Sequence, residues 1–229
     1  YDQSSICTGS VLEHDGVFYA FYTARANNPT WCRPRERICL ATSQDLLTFQ
    51  KWPGNPILRL PAGYADRFDS PFAVRCGDGG FELIVASNRA AQPIARRNGV
   101  LLRYRSRNLT DWEFEGELLH PGGLGTPECP DRFEWNGWHY LIFSHDLVAH
   151  YRMARRPDGP WLCPPQDTFE GRMARVMKTA PFRAGRRIGA AFIGTRQGDA
   201  DDGSPQWGGN IVLRELVQND DGTLGVKFP

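Results

Sequence analysis

Gly9–Ala24 reads GSVLEHDGVFYAFYTA: an apolar and branched run, the dipeptide Asp15-Gly16, then a second run rich in aromatics. That pattern is two strands joined by a tight hairpin, because Asp-Gly readily takes the two left-handed backbone conformations that a two-residue turn needs. The unit returns as SPFAVRCGDGGFELIVAS from Ser70, as CPDRFEWNGWHYLIFSH from Cys129 and, less regularly, as APFRAGRRIGAAFIGT from Ala180. Three of these hairpins are followed by a further strand and a polar turn closing on an aromatic: ICLATSQDLLTFQKW from Ile38, LLRYRSRNLTDWEF from Leu101 and YRMARRPDGPW from Tyr151.

The repeated unit is therefore about four strands, and its starts lie roughly 50 to 60 residues apart, the length of one propeller blade with its loops. No window sustains a period of 3.6 residues, so the expectation is an all-β β-propeller with about four blades in this chain. Asp15-Gly16, Gly79-Gly80 and Asn136-Gly137 are the expected hairpin turns. Trp52, Trp112 and Trp161 close the repeats and read as packing residues, whereas Trp31, Trp138 and Trp207 fall elsewhere and are candidate sugar platforms.

Lys and Arg number 27 against 26 Asp and Glu, a balance that provides no field for nucleic acid or an anionic membrane. No stretch approaches the roughly 20 apolar residues of a membrane span, and the polar start lacks a secretory signal. The expected location is the cytoplasm, or outside the cell if a signal precedes Tyr1. The six cysteines form no CxxC pair and are read as mostly reduced. The five histidines form no metal-binding pair and no GxxxxGK loop occurs, so neither a metal nor another cofactor is expected.

Two acidic residues stand where inner strands begin. Glu128 lies in GTPECPD, at the start of the third hairpin, and Asp69 lies in DRFDSPF, at the start of the second. They occupy equivalent points in successive repeats. Two carboxyl groups meeting in one funnel suit glycosidic cleavage, in which one protonates the departing oxygen while the other stays ionised. The plainer alternative is that both cap strands or bind a nearby arginine. His145 and Arg196, taken as the ends of later inner strands, are candidates for sugar hydroxyl contacts.

Glu128-Cys129-Pro130-Asp131 followed by Arg132-Phe133 resembles the ECPD motif of glycoside hydrolase family 32, the invertases, fructanases and related β-fructosidases. Cys7-Thr8-Gly9-Ser10 with Phe18–Thr23, Ala41–Leu46, Asn55–Leu58 and Trp207–Gly209 resemble other segments of that family, in the same order. The resemblance implies a five-bladed propeller acting on β-fructofuranosides such as sucrose or fructans, with Glu128 as general acid/base. Asp69 then corresponds to the transition-state-stabilising Asp of the RDP motif if Ser70 is an insertion, with Asp66 as substitute. Thr8 and Cys7 come to lie beside the sugar, and Asp131 either contacts it or holds the Glu128 strand. The family's nucleophilic Asp belongs to a WMNDPNG-like segment that these residues lack, and four blades are counted where five close the ring. The expectation is one β-propeller catalytic domain over residues 1–229 whose first blade lies upstream. Two other readings are an arabinan- or xylan-cleaving furanosidase of the same fold, and a sugar-binding propeller without catalysis.

Overall fold

A computed structural model of the chain describes residues 2–26, 35–91, 97–171 and 174–229; of Asp66, Ala174, Arg175 and Trp207 it describes the backbone only. Trp31 and Cys32 lie outside the described residues, as do the side chains of Asp66 and Trp207, so those candidate roles rest on sequence alone. The chain forms two compact units, Tyr1–Pro130 and Asp131–Pro229.

In the first unit, strands β1 (Ser5–His14), β2 (Val17–Arg25), β3 (Glu36–Ser43) and β4 (Gln50–Lys51) make an antiparallel meander, each strand beside the next. Strands β5 (Tyr64–Arg75), β6 (Phe81–Arg89), β7 (Gly99–Ser106) and β8 (Glu113–Leu119) make a second. β9 begins at Glu128, runs to Trp135, and carries the chain into the second unit. There it forms a three-stranded sheet with β10 (Trp138–His145) and β11 (Val148–Ala154). β12 (Ala174–Pro181), β13 (Arg187–Arg196), β14 (Pro205–Gln218) and β15 (Leu224–Lys227) complete a four-stranded one. In the third sheet the place of a fourth strand is taken by the 162–168 loop, which bridges Met153 at Leu162 and His150 at Thr168. Short antiparallel meanders of this kind are propeller blades.

The hairpins follow the turn chemistry with one shift. Asp15-Gly16 and Asn136-Gly137 are two-residue turns with positive φ at both positions (51° and 77°, 49° and 75°). The second hairpin instead closes over five residues, Cys76 to Gly80, where Gly79 alone takes positive φ (79°) and the Asp78 side chain accepts from Gly80 N at 3.0 Å.

A blade buries both faces, so its central strands lose the polar–apolar alternation. Phe81 to Ser87 of β6 are all buried. In the first unit Phe21, Ile38, Leu40, Phe68, Leu83 and Leu102 form the core, with Trp52 and Trp112 packed against it. In the second, Tyr140, Ile142, Tyr151, Met153, Met177 and Leu216 form another. Trp138 is no open platform: the Arg155 guanidinium lies 3.5 Å from its ring centroid and Gly222 backs it so closely that an added Cβ would stand 2.3 Å from the indole.

The first strand of each sheet is irregular where the sequence suggests chemistry. Ser70, Cys129 and Val176 take φ of 56°, 55° and 57°. Register shifts fall at Asp69/Phe72 in β5, Arg175/Lys178 in β12 and Cys7/Gly9 in β1. A bulge turns the preceding side chain out of the regular alternation; Asp69 precedes the β5 bulge, and Glu128 precedes the left-handed Cys129. Gly9 completes the β1 bulge, and a Cβ there would lie 1.9 Å from Phe21 O.

Candidate active site

Five charged side chains of the first unit meet around the bulges. Arg67, on β5, is their centre. Its Nη2 donates to Glu128 Oε1 at 2.5 Å and also to Asp69 Oδ2, which Nε approaches at 3.1 Å. Nε lies 3.3 Å from Glu36 Oε2. Glu36, at the start of β3, is cross-strand partner to Arg25 at the end of β2, whose Nε and Nη2 donate to Glu36 Oε1 at 3.0 and 2.6 Å. Glu36 Oε2 also accepts from Phe68 N at 3.1 Å, which ties β3 to the residue before Asp69. Arg25 Nη2 stands 3.8 Å from Asp69 Oδ2.

The two carboxylates singled out in the sequence are thus brought to one guanidinium nitrogen. The plainer alternative, that they bind an arginine, and the functional one describe the same cluster. Asp69 is 3% exposed, and its Oδ1 is buried without a hydrogen-bond partner among the described residues. An unpaired buried carboxylate oxygen is costly, and it is the kind of acceptor that a ligand hydroxyl satisfies. Burial, reinforced by the neighbouring charge of Glu36, raises the Asp69 pKa to about 7 against the opposing pull of Arg67. Burial weakens the hold of Arg67 on its proton, but Asp69, Glu36 and Glu128 outweigh it and leave that proton more firmly held.

Behind the charges runs a chain of hydrogen bonds. Ser70 N donates to Thr23 Oγ1 (2.8 Å), Thr23 Oγ1 to Thr8 O (3.1 Å), and Cys129 Sγ to Thr8 Oγ1 (3.4 Å). The Ser70 hydroxyl lies 3.5 Å from Cys129 Sγ. Thr8 thereby links β1 to the residues after both carboxylates. Cys7 is half-buried, its Sγ 3.7 Å from Ser5 Oγ.

The remaining candidates belong to the second unit. Asp131 is 2% exposed, and its Oδ2 accepts from Thr179 N at 2.7 Å and Thr179 Oγ1 at 2.6 Å, which ties β9 to β12. His145 and Arg196 end β10 and β13, the second strands of their sheets, and so do not end inner strands as expected. The His145 ring lies 6.2 Å from that of His150, which pairs with Asp167 at 3.2 Å. Arg196 is exposed and its Nη1 donates to Gly203 O at 2.9 Å.

Sequence reasoning missed Arg25, Glu36 and the role of Arg67. Arg25 and Glu36 close the same strand pair, and opposite charges facing each other at a hairpin end were a readable signal. Arg67 stood in the DRFDSPF segment without an assigned partner.

Blade-like antiparallel sheets whose first strands bring two acids and an arginine together define the class, a β-propeller with a charged site. The glycosyl hydrolases family 32 N-terminal domain matches residues 1–157, and the chain belongs to that family. It is 33% identical to a sucrose-6-phosphate hydrolase of Staphylococcus xylosus over 145 residues, 62% of this chain and 28% of that protein. It is 34% identical to a raffinose invertase of Escherichia coli over 152 residues, 63% of this chain and 29% of that protein. The fold superposes on the GH32 β-fructofuranosidase BmSUC1 of Bombyx mori with a TM-score of 0.76 and 22% identity, over 97% of this chain and 50% of that one. The chain therefore spans half or less of the length of these relatives.

Proposed function

We propose that this chain acts in retaining hydrolysis of β-fructofuranosides, sucrose or fructans, with Glu128 as general acid/base and Asp69 as the carboxylate that binds fructose hydroxyls and stabilises the transition state. The observation that carries this reading is the convergence of Asp69 and Glu128 on Arg67, with Asp69 Oδ1 buried and unpaired among the described residues. Positive charge builds on the fructosyl ring as the glycosidic bond breaks, and Asp69 offers it a fixed, desolvated carboxylate. Glu128 is the more exposed of the two, its side chain 33% exposed against 4% for Asp69. It can therefore reach a leaving oxygen and later a water molecule, protonating the first and deprotonating the second. Thr8 and Cys7 form the neighbouring wall, and Asp131 holds β9.

Glu36 is not the nucleophile, because both its oxygens are engaged by Arg25, Arg67 and Phe68 N and its side chain is 4% exposed. The attacking carboxylate is assigned outside this cluster. That same feature favours a second reading, saccharide binding without cleavage.

Kinetics of Asp69→Asn on sucrose, inulin and levan separate the two. Hydrolysis predicts that kcat falls by about 10²-fold or more, as when one preorganised group is removed from a transition state. Saturable saccharide binding in calorimetry with no release of fructose, even when an added first blade supplies the attacking carboxylate, favours the second.

A further inference from the structure

The first unit builds the same groove twice. After β3, Ser43 Oγ accepts from Asp45 N and Leu46 N at 3.2 and 2.9 Å, and Asp45 Oδ1 accepts from Leu47 N and Thr48 N at 2.8 Å each. After β7, Ser106 Oγ accepts from Asn108 N and Leu109 N at 3.1 and 2.9 Å, and Asn108 Oδ1 from Thr110 N and Asp111 N at 3.1 and 2.9 Å. Leu46 and Leu109 take the matching left-handed conformation, φ 61° and 67°. Each turn borders a cavity, of about 500 Å³ in the first sheet and about 450 Å³ in the second.

Counted from the two turn serines, most of the lining positions after β3 and β7 correspond, Trp112 of the second groove excepted, but their chemistry does not. The second groove carries Arg105, Arg107, Asp111, Glu113 and Glu115. Several of its charges answer one another or the adjacent Asp78: Arg105 lies 3.7 Å from both Asp78 and Glu115, and Arg107 lies 3.6 Å from Asp78. The first groove carries Thr42, Gln44, Thr48, Gln50 and Trp52 at those positions. Tyr19, Thr42 and Gln50 stand in register across β2, β3 and β4, so they share one face of the sheet. Tyr19 and Trp52 pack partly against the core and also line the cavity. Among the described lining residues Asp45 alone is charged, and its Oδ1 is taken by the turn. The side chains of Gln44, Gln50 and Thr48 have no hydrogen-bond partner among the described residues.

We propose that the first-sheet groove binds a neutral saccharide, its sugar faces against Trp52 and Tyr19 and its hydroxyls on the amides of Gln44 and Gln50. Aromatic faces beside a few uncharged donors and acceptors match a ligand that is apolar on its ring faces and hydroxylated at its edges. The groove is separate from the Asp69–Glu128 cluster. Tyr19 lies six residues along β2 from Arg25, about 20 Å at the rise of a strand. It does not rest on the catalytic reading of that cluster.

The test is NMR titration of the full chain carrying Glu128→Gln with fructan, glucan and xylan oligosaccharides of about five residues. The probes are the Trp52 indole N–H, the side-chain amides of Gln44 and Gln50, and, for the other site, the Thr8 methyl. The expected result is a saturable shift at Trp52 and the two glutamines with at least one saccharide. Affinity there falls at least tenfold when Gln44→Arg and Gln50→Glu install the lining of the second groove on exposed positions. No saturable shift at these probes with any saccharide overturns the proposal, as does unchanged affinity in the double variant. A groove that responds while Thr8 does not leaves the proposal standing and counts against the function proposed for the cluster.

Discussion

Asp69 carries two opposed demands, since it is almost wholly buried yet stands beside Arg67 and near Arg25. Its raised pKa fixes the sign of a stability effect. The unfolded carboxyl gives up its proton near pH 3.8, whereas the folded one keeps it until about pH 7. Between those values the folded chain holds the extra proton, so its stability declines as pH rises through that window. Thermal melts should show a lower Tm at pH 8 than at pH 5, and Asp69→Asn should flatten the dependence. A dependence of the same size in the variant would assign it to another group. Arg67→Gln is the harsher change, because it leaves Asp69, Glu36 and Glu128 together without the cation between them. We expect it to lower the activity and also the unfolding free energy from urea melts, by less than the roughly 3 to 5 kcal/mol for breaking a fully buried pair, because Arg67 is partly exposed.

Elements explain why these side chains meet at all. The bulge at Ser70 and the left-handed Cys129 stand directly after Asp69 and Glu128, the two acids that meet Arg67, and Gly9 permits the bulge in β1. Gly9→Ala should destabilise the chain by roughly 2 to 4 kcal/mol in urea unfolding, since backbone rather than a flexible side chain must give way. The paired turns are a gentler test. Asp45→Ala removes the acceptor of two backbone N–H groups at an exposed site, and Asn108→Ala does the same in the second sheet. Each should lower the urea midpoint measurably. If one costs nothing, the two turns are not equivalent. In this second turn the Asn108 amide nitrogen also donates to Asp111 at 2.7 Å.

At this scale the sequence was most legible. Alternation and turn dipeptides located the hairpins, because period-two patterning and Asp-Gly or Asn-Gly chemistry are local properties. The bulges were not legible, since nothing local distinguishes an inserted residue in Asp69-Ser70-Pro71 from a regular strand. Trp52 and Trp112 pack against the core as expected, although they fall nine and six residues after their turn serines and so do not hold the same position in the repeat.

For the whole molecule, the near balance of charge and the strand repeat pointed to a propeller with a small or neutral partner, and the family match places the chain among the glycosyl hydrolases of family 32. The site was half legible: Glu128 and Asp69 stand out as acids at repeated positions, while Arg25, Glu36 and Arg67 become a cluster only when three strands are brought together. His145 and Arg196 were drawn from strand ends whose place in the sheets the sequence does not reveal. The central claim is that Glu128 performs proton transfer on a β-fructofuranoside. It is tested most directly by the initial rate of fructose release from sucrose, comparing the chain with Glu128→Gln, a change that keeps the shape of the side chain and an acceptor for Arg67. With the attacking carboxylate supplied by an added first blade in both proteins, the account predicts a fall of about 10²- to 10⁴-fold in the variant. Release at an unchanged rate in Glu128→Gln would contradict it.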